Sequence, residues 1–216
     1  LDNSSPLPGW LNFNPATGEF SGNPGSADIG GLVVRLTATD TAGAATHTTF
    51  VLSVTDSNVF NGTAGNDTLT GTAANDYLEG LAGNDTLNGG PGADTLDGGP
   101  GNDTFFVDDS GDIVIERLAE GTDLANASID YTLPSNVENL ILSGSAQAGT
   151  GNDLPNVITG NALDNYLAGS AGNDSVNGGL GADQMTGGPG NDVYTVDSAG
   201  DSVVELPGEG TDRVNA

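Results

Sequence analysis

Residues 80–106 read GLAGNDTLN GGPGADTLD GGPGNDTFF, three nine-residue frames that open on glycine, hold aspartate sixth and place an apolar residue eighth. The frame reaches back to Gly62 (GTAGNDTLT, GTAANDYLE) and returns at Gly151 as GNDLPNVIT, GNALDNYLA, GSAGNDSVN, GGLGADQMT and GGPGNDVYT. Across these ten frames position 1 is always Gly, position 4 is Gly in seven, and position 6 is Asp in eight and Asn in two, Asn156 and Asn165. Position 8 is apolar in all ten: Leu69, Leu78, Leu87, Leu96, Phe105, Ile158, Leu167, Val176, Met185 and Tyr194. A fixed short period means stacked units and is read before individual elements. Glycine permits positive φ and close backbone approach. Three residues such as Thr68-Leu69-Thr70 then form a short strand, its middle side chain inward and its neighbours outward. One inward residue per nine is a thin core, so a single repeat cannot fold and the repeats must stack.

Two frames make one 18-residue turn of a flattened roll, which sets Asp67 beside Asp85, Asp76 beside Asp94, Asp85 beside Asp103 and Asp174 beside Asp192. Carboxylates stacked at the strand spacing of about 4.8 Å repel one another unless a cation lies between them. A lining of oxygens without nitrogen or sulfur selects a hard ion, calcium above all.

These frames resemble the RTX (repeats-in-toxin) nonapeptide G-G-x-G-x-D-x-U-x over residues 62–106 and 151–195. The resemblance implies an all-β chain, a right-handed parallel β-roll in two blocks, holding several calcium ions. In that family one loop offers the carbonyls of positions 2 and 4 with its Asp, and the loop two frames on offers carbonyls 1 and 3 with its own Asp. Carried over, the sets are Thr63, Gly65, Asp67, Gly80, Ala82 and Asp85; Thr72, Ala74, Asp76, Gly89, Pro91 and Asp94; Leu81, Gly83, Asp85, Gly98, Pro100 and Asp103. The second block gives Ser170, Gly172, Asp174, Gly187, Pro189 and Asp192, and Asn165 with Gly178, Leu180 and Asp183. Frames with Asn156 and Asn165 offer an uncharged amide oxygen, so their sites are expected to be weaker or empty. Residues 107–115 and 196–204 read as sixth frames carrying Asp112 and Asp201. They would close further sites with Gly90, Gly92 and Asp94 and with Gly179, Gly181 and Asp183, or else supply a turn aspartate beyond the roll.

Residues 101–127 and 190–216 align without a gap at an offset of 89, so the larger unit is a roll, a cap and a bridge. Glu116 and Glu205 occupy matching places after the sixth frames, suited to a cap or an extra ligand. Val137, Leu140 and Leu142 suggest bridge strands that continue the stack. The second copy stops at Ala216, where the first runs on, and the chain reads as a fragment of a longer array. The expected divisions are 1–58, a β domain; 59–126, the first roll and cap; 127–150, bridging strands; and 151–216, the second roll and cap.

The first 58 residues hold five of the 30 acids and no nonapeptide. Val33–Thr39 and Thr48–Val54 alternate as strands around a turn at Asp40–Gly43. PLPGWLNF, TGEFSGNP and LTATDTAG resemble the second half of a bacterial cadherin-like, immunoglobulin-type sandwich. Leu32, Val34, Leu36, Phe50, Leu52 and Val54 would form one apolar face that two strands cannot bury, and Trp10 is expected to anchor that domain's core.

Composition narrows function. The chain has 216 residues, 30 acids against three arginines and no lysine, for a net charge of −27. Such a chain is a poor partner for nucleic acid or anionic membranes. It has no cysteine and one histidine, His47, expected on a strand surface. That removes disulfides, thiolate metal sites and cysteine nucleophiles, and leaves little for a histidine-based triad. No apolar run approaches a bilayer span of about 20 residues, and no signal peptide is visible at the N-terminus. Acids in the repeats are read as calcium ligands rather than glycosidase pairs. The expected function is a non-enzymatic, calcium-binding structural or adhesive region of a secreted or cell-surface bacterial RTX protein. Its partners would be calcium and either further copies or a cell-surface or polysaccharide ligand. Rival readings are the accessory region of an extracellular protease, lipase or alginate-modifying enzyme, and a filament or surface-layer subunit.

Overall fold

Short strands recur wherever the frame puts its seventh to ninth residues. A computed structural model of the chain describes residues 7–9, 11–22, 30–39, 41–54 and 58–216. They contain strands and turns only, and no helix among them is long and apolar enough to cross a membrane. They fall into two compact units, residues 1–56 and 57–216.

In the first unit β1 (Leu11–Asn14) pairs antiparallel with β2 (Glu19–Gly22), and β3 (Gly30–Thr39) with β4 (Ala45–Val54). The β1–β2 turn is closed by the Gly18 N–H on the Asn14 carbonyl (2.8 Å), with Gly18 at φ +76°. The β3–β4 register sets Leu32 opposite Leu52 and Val34 opposite Phe50, as the alternation predicts. Phe20 packs on Phe13 (ring centroids 4.7 Å) and edge-on against Phe50 (5.6 Å), so the two hairpins share an aromatic contact. Leu11 and Val34 are buried, whereas Leu36 and Phe50 stay 37% and 38% exposed. His47 is exposed opposite Thr37. Trp10, Asp40 and the side chains of Leu32, Leu52 and Val54 lie outside the described residues.

The second unit is a parallel β-solenoid. Its strands are β5 (Val59–Asn61), β6 (Thr68–Thr70), β7 (Tyr77–Glu79), β8 (Thr86–Asn88), β9 (Thr95–Asp97), β10 (Thr104–Val107), β11 (Ile113–Ile115), β12 (Leu124–Ala127) and β13 (Tyr131–Thr132). They continue as β14 (Asn139–Leu142), β15 (Ala148–Thr150), β16 (Val157–Thr159), β17 (Tyr166–Ala168), β18 (Ser175–Asn177), β19 (Gln184–Thr186), β20 (Val193–Thr195), β21 (Ser202–Val203) and β22 (Arg213–Asn215). Even-numbered strands from β6 to β22 form one nine-stranded sheet. The opposite face is split into β5-β7-β9-β11 and β13-β15-β17-β19-β21.

Thr68 pairs with Thr86 and Tyr77 with Thr95, the 18-residue step read from the frame. Thr104 instead pairs with Leu124, twenty residues on, and Leu124 with Asn139, fifteen on. The long and short coils nearly cancel, so the even face runs unbroken through the bridge. The odd face, which must absorb the change, breaks between β11 and β13. The twenty-residue coil recurs where Val193 pairs with Arg213.

The core is a column of eighth-position side chains. On the even face Leu69, Leu87, Phe105, Ala125, Leu140, Ile158, Val176, Tyr194 and Val214 are in register. All but the end members Leu69 and Val214 are fully buried, each such large side chain contributing about 1.5–3 kcal/mol of transfer free energy. Leu140 and Leu142 lie in a bridge strand that continues the stack, as expected, whereas Val137 is buried just before that strand and outside it.

Candidate metal centres

The sixth residue of each frame closes the loop just before its strand, so stacking the strands stacks the aspartates. Asp67 donates its backbone N–H to Asp85 Oδ1 (2.7 Å), Asp85 to Asp103 Oδ1 (2.7 Å), and Asp103 to Asp123 Oδ1 (2.8 Å). On the other edge Asp76 donates to Asp94 Oδ1 (2.8 Å) and Asp94 to Asp112 Oδ1 (3.0 Å). The second block repeats this from Asn156 through Asp174 and Asp192 to Asp212, and from Asn165 through Asp183 to Asp201. Each carboxylate thus spends one oxygen on the preceding coil.

The other oxygen has no such use. Oδ2 of Asp85, Asp94, Asp103, Asp174, Asp183 and Asp192 is buried and accepts no hydrogen bond. A buried unsatisfied carboxylate oxygen costs about 1–3 kcal/mol or more, and here six recur in register. Burial is the main cause that pushes all six carboxyls above the ordinary range, Asp103 and Asp174 to about 6. Neighbouring acids add to all six in the same direction.

Backbone carbonyls aim into the same gaps. At position 4, Gly92 has φ +141°, and a Cβ there would stand 2.7 Å from the Ala74 carbonyl oxygen of the coil before. The Thr72 carbonyl aims likewise at Gly90, Gly65 at Gly83, Leu81 at Gly99, and Ser170 and Gly172 at Gly188 and Gly190. First-position carbonyls point back: the Gly98 oxygen faces Gly80, and Gly89, Gly178 and Gly187 do the same toward Gly71, Gly160 and Gly169. Third-position carbonyls of Pro100 and Pro189 also point back, accepting the N–H of Gly83 and Gly172 (both 3.0 Å). Thr63 O accepts the Ala82 N–H (3.4 Å). Pro91 and Leu180 sit at the same third position, and Gly179 and Gly181 face the Asn161 and Leu163 carbonyls. The acceptors that face one another between coils are carboxylate and carbonyl oxygens, which fits a hard cation.

The stack's ends behave differently. Asp67 and Asp76 turn Oδ2 onto the N–H and hydroxyl of Thr63 and Thr72. Burial raises Asp76, but hydrogen bonds from Thr72 and Asn58 outweigh it and hold the carboxyl low. Asp112 and Asp201 fall in line with the ladder, yet each Oδ2 accepts two N–H groups of its own turn, from Asp108 and Asp109 or Asp197 and Ser198. Both oxygens of these sixth-frame aspartates are therefore already engaged.

The Asn frames reverse the chemistry. Leu154 and Leu163 replace the fourth-position glycine, and Asn152 and Asn161 stand second. Asn152 Nδ2 donates to the Pro134 and Val137 carbonyls (both 2.7 Å), and Asn161 Nδ2 to Ala146 (2.7 Å). Asn156 Nδ2 reaches the Glu138 carbonyl (3.1 Å) and Asn165 Nδ2 the Ala146 carbonyl (3.3 Å). Amide hydrogens thus meet the bridge carbonyls at the junction below Asn165, while its Oδ1 accepts the Asn161 N–H (2.8 Å). The sequence showed the loss of charge at 156 and 165; the partnership with 152 and 161 was not read from it.

Two carboxylate groups lie where the twenty-residue coils occur. Asp103, Glu116 and Asp123 are all buried, with ligand oxygens within 4.8 Å of one another, and Asp192, Glu205 and Asp212 form the counterpart. Asp123 and Asp212 were missed by the nonapeptide frame because two extra residues displace them. The 89-residue alignment, which pairs EGTD at 120–123 with EGTD at 209–212, carried the signal.

A family model described as RTX calcium-binding nonapeptide repeat matches in four copies, at residues 54–87, 70–105, 79–114 and 159–194. A second model, described as "Putative Ig domain", matches residues 2–55. No curated protein sequence matches the chain. The matched stretches, residues 54–114 and 159–194, are therefore RTX calcium-binding nonapeptide repeats, and calcium is the ion that such repeats bind.

Proposed function

We propose that the chain is a non-catalytic, calcium-folded region of a secreted or cell-surface bacterial RTX protein, with a structural or adhesive role. The observation that carries it is the register of six buried, unpartnered Asp Oδ2 oxygens along the stack. Residues 62–216 hold 25 acids against two arginines, so the solenoid residues repel one another in a calcium-poor medium. Bound calcium supplies the positive charge that the sequence lacks. Extracellular calcium modules work at about 10⁻⁴–10⁻³ M, which favours an unfolded chain in the cytosol, export in that state through a type I channel, and folding outside. Leu36 and Phe50, left exposed at the hairpin pair, support contact with a further copy or a surface ligand through the N-terminal unit. Far-UV circular dichroism in EGTA and in millimolar calcium tests the reading. A β signal that strengthens markedly with calcium, and little with magnesium, is expected; the same spectrum in all three media overturns it.

A further inference from the structure

Glu116 stands eighteen residues after Gly98, at the first place of a frame, where all ten nonapeptides carry glycine. In the nonapeptide coils no side chain fits there. A Cβ at Gly80 would lie 2.5 Å from Asp85 Oδ2 and 2.6 Å from the Gly98 carbonyl oxygen. At Glu116 the half-turn that follows is longer: Ile113 to Leu124 is eleven residues, against nine from Thr95 to Thr104. The first-position carbonyl is also redirected, since Glu116 O accepts the side-chain N–H of Asn136 (3.0 Å). In its place the Glu116 carboxylate goes inward.

There it meets Asp103 and Asp123. Glu116 is 8% exposed, and both its oxygens are buried without a hydrogen-bond partner, as is Asp103 Oδ2. Gly98 forms the facing wall, where a Cβ would run into Glu116 Oε1 and Asp103 Oδ2. The adjacent cation does not neutralise the group. Arg117 pairs outside with Asp97 (2.8 and 3.0 Å) and Glu120 (3.5 Å).

We propose that Asp103, Glu116 and Asp123 form a cation site of a second kind, built on three side-chain carboxylates, and that Asp192, Glu205 and Asp212 repeat it. The ligand class is a hard divalent cation of calcium's size, and the assignment rests on the calcium reading of the repeats. Three anionic oxygens in place of a carbonyl-rich set give each site more charge than a repeat junction. The copies differ in one group. Tyr194 donates its hydroxyl to Glu205 Oε1, while Phe105 fills that place in the first copy. Glu205 Oε2 remains buried and unpartnered.

Calcium stoichiometry of the full chain, by equilibrium dialysis at saturating calcium, tests this with Glu116→Gln, Glu205→Gln and the double variant. One bound ion fewer per substitution is expected, with the calcium-loaded β spectrum kept. Equal stoichiometry in all four proteins overturns the site while leaving the repeats intact, and a parent that takes up no calcium brings down both readings. Terbium emission excited through tyrosine gives a second readout if a variant folds poorly. Glu205→Gln and Tyr194→Phe should each lower it, whereas Glu116→Gln, remote from Tyr194, should spare most of it. Unchanged emission in Glu205→Gln counts against the proposal.

Discussion

Between Asp76 and Asp94 the stack meets oxygen against oxygen; between Ala146 and Asn165 it meets oxygen against N–H. In the first junction Asp94 Oδ2 is buried without a partner, and the Thr72 and Ala74 carbonyls aim at the same coil. In the second, Asn161 and Asn165 donate to the Ala146 carbonyl at 2.7 and 3.3 Å. One backbone design is thus closed in two ways. The amide junction carries its own hydrogen-bond donors and is unconditional. The carboxylate junction lacks them and gains from any cation or proton that neutralises its buried oxygens.

The largest expected consequence appears on calcium removal. Hydrogen exchange in EGTA should erase protection in β7–β10 and β18–β20 while strands β14–β17 around the bridge keep the most. Uniform loss along residues 58–216 would mean that the two junctions are not energetically distinct. A smaller effect comes from making the amide junction resemble the other. Asn165→Asp removes a donor from the Ala146 carbonyl and sets an anion beside it, at a cost of about 1–3 kcal/mol. Urea unfolding in EGTA, followed through the most protected amides, reads the loss. A variant as stable as the parent would show that the amide contributes nothing.

Smaller again is a contrast inside the carboxylate region. Asp85 accepts from Asp67 and leaves Oδ2 unpartnered, whereas Asp67 Oδ2 is held by Thr63 at 2.6 and 2.8 Å. Asp85→Ala should therefore raise the calcium midpoint of folding more than Asp67→Ala. Equal shifts would contradict the stacking order.

How much of this was legible follows from what a fixed frame can encode. The 18-residue coil, the inward ladder from Leu78 to Tyr194 and the Asp-on-Asp register all follow from position alone, and the structure has them. What the frame could not encode is where the chain leaves it. Two added residues between Ile115 and Asp123, then a fifteen-residue coil to Asn139, carry the even sheet through a bridge that has no nonapeptide. The same insertion turns Glu116 inward and brings Asp123 into line with Asp103. Asn152 and Asn161 read as ordinary turn residues, because their role depends on carbonyls of Val137 and Ala146 lying fifteen residues earlier.

Acidity separates the unpartnered carboxylates of the stack from those held by N–H groups, with opposite signs. Burial, followed by neighbouring acids, raises Asp103 and Asp123 to about 6 and Glu116 to about 9. A carboxyl with a raised folded value contributes stability that is present below its ordinary value and lost as pH rises through the folded one. Metal-free carboxylate coils should therefore gain stability on acidification from pH 7.5 toward 4.5. The bridge holds the opposite case. Asp130 accepts the N–H of Gln147 (2.7 Å) and Ala148 (2.9 Å), which keeps its carboxyl below the ordinary range. Its contribution is present above that range and lost as pH falls through it, below about 4. Melting temperatures in EGTA should thus rise as pH falls from 7.5 toward 4.5, where the raised groups hold protons in the fold that they lack when unfolded. With calcium the trend should flatten or invert, since protons and the ion compete for the same oxygens. A melting point that falls with pH in both media would mean that these carboxyls are not strained by burial in the metal-free fold.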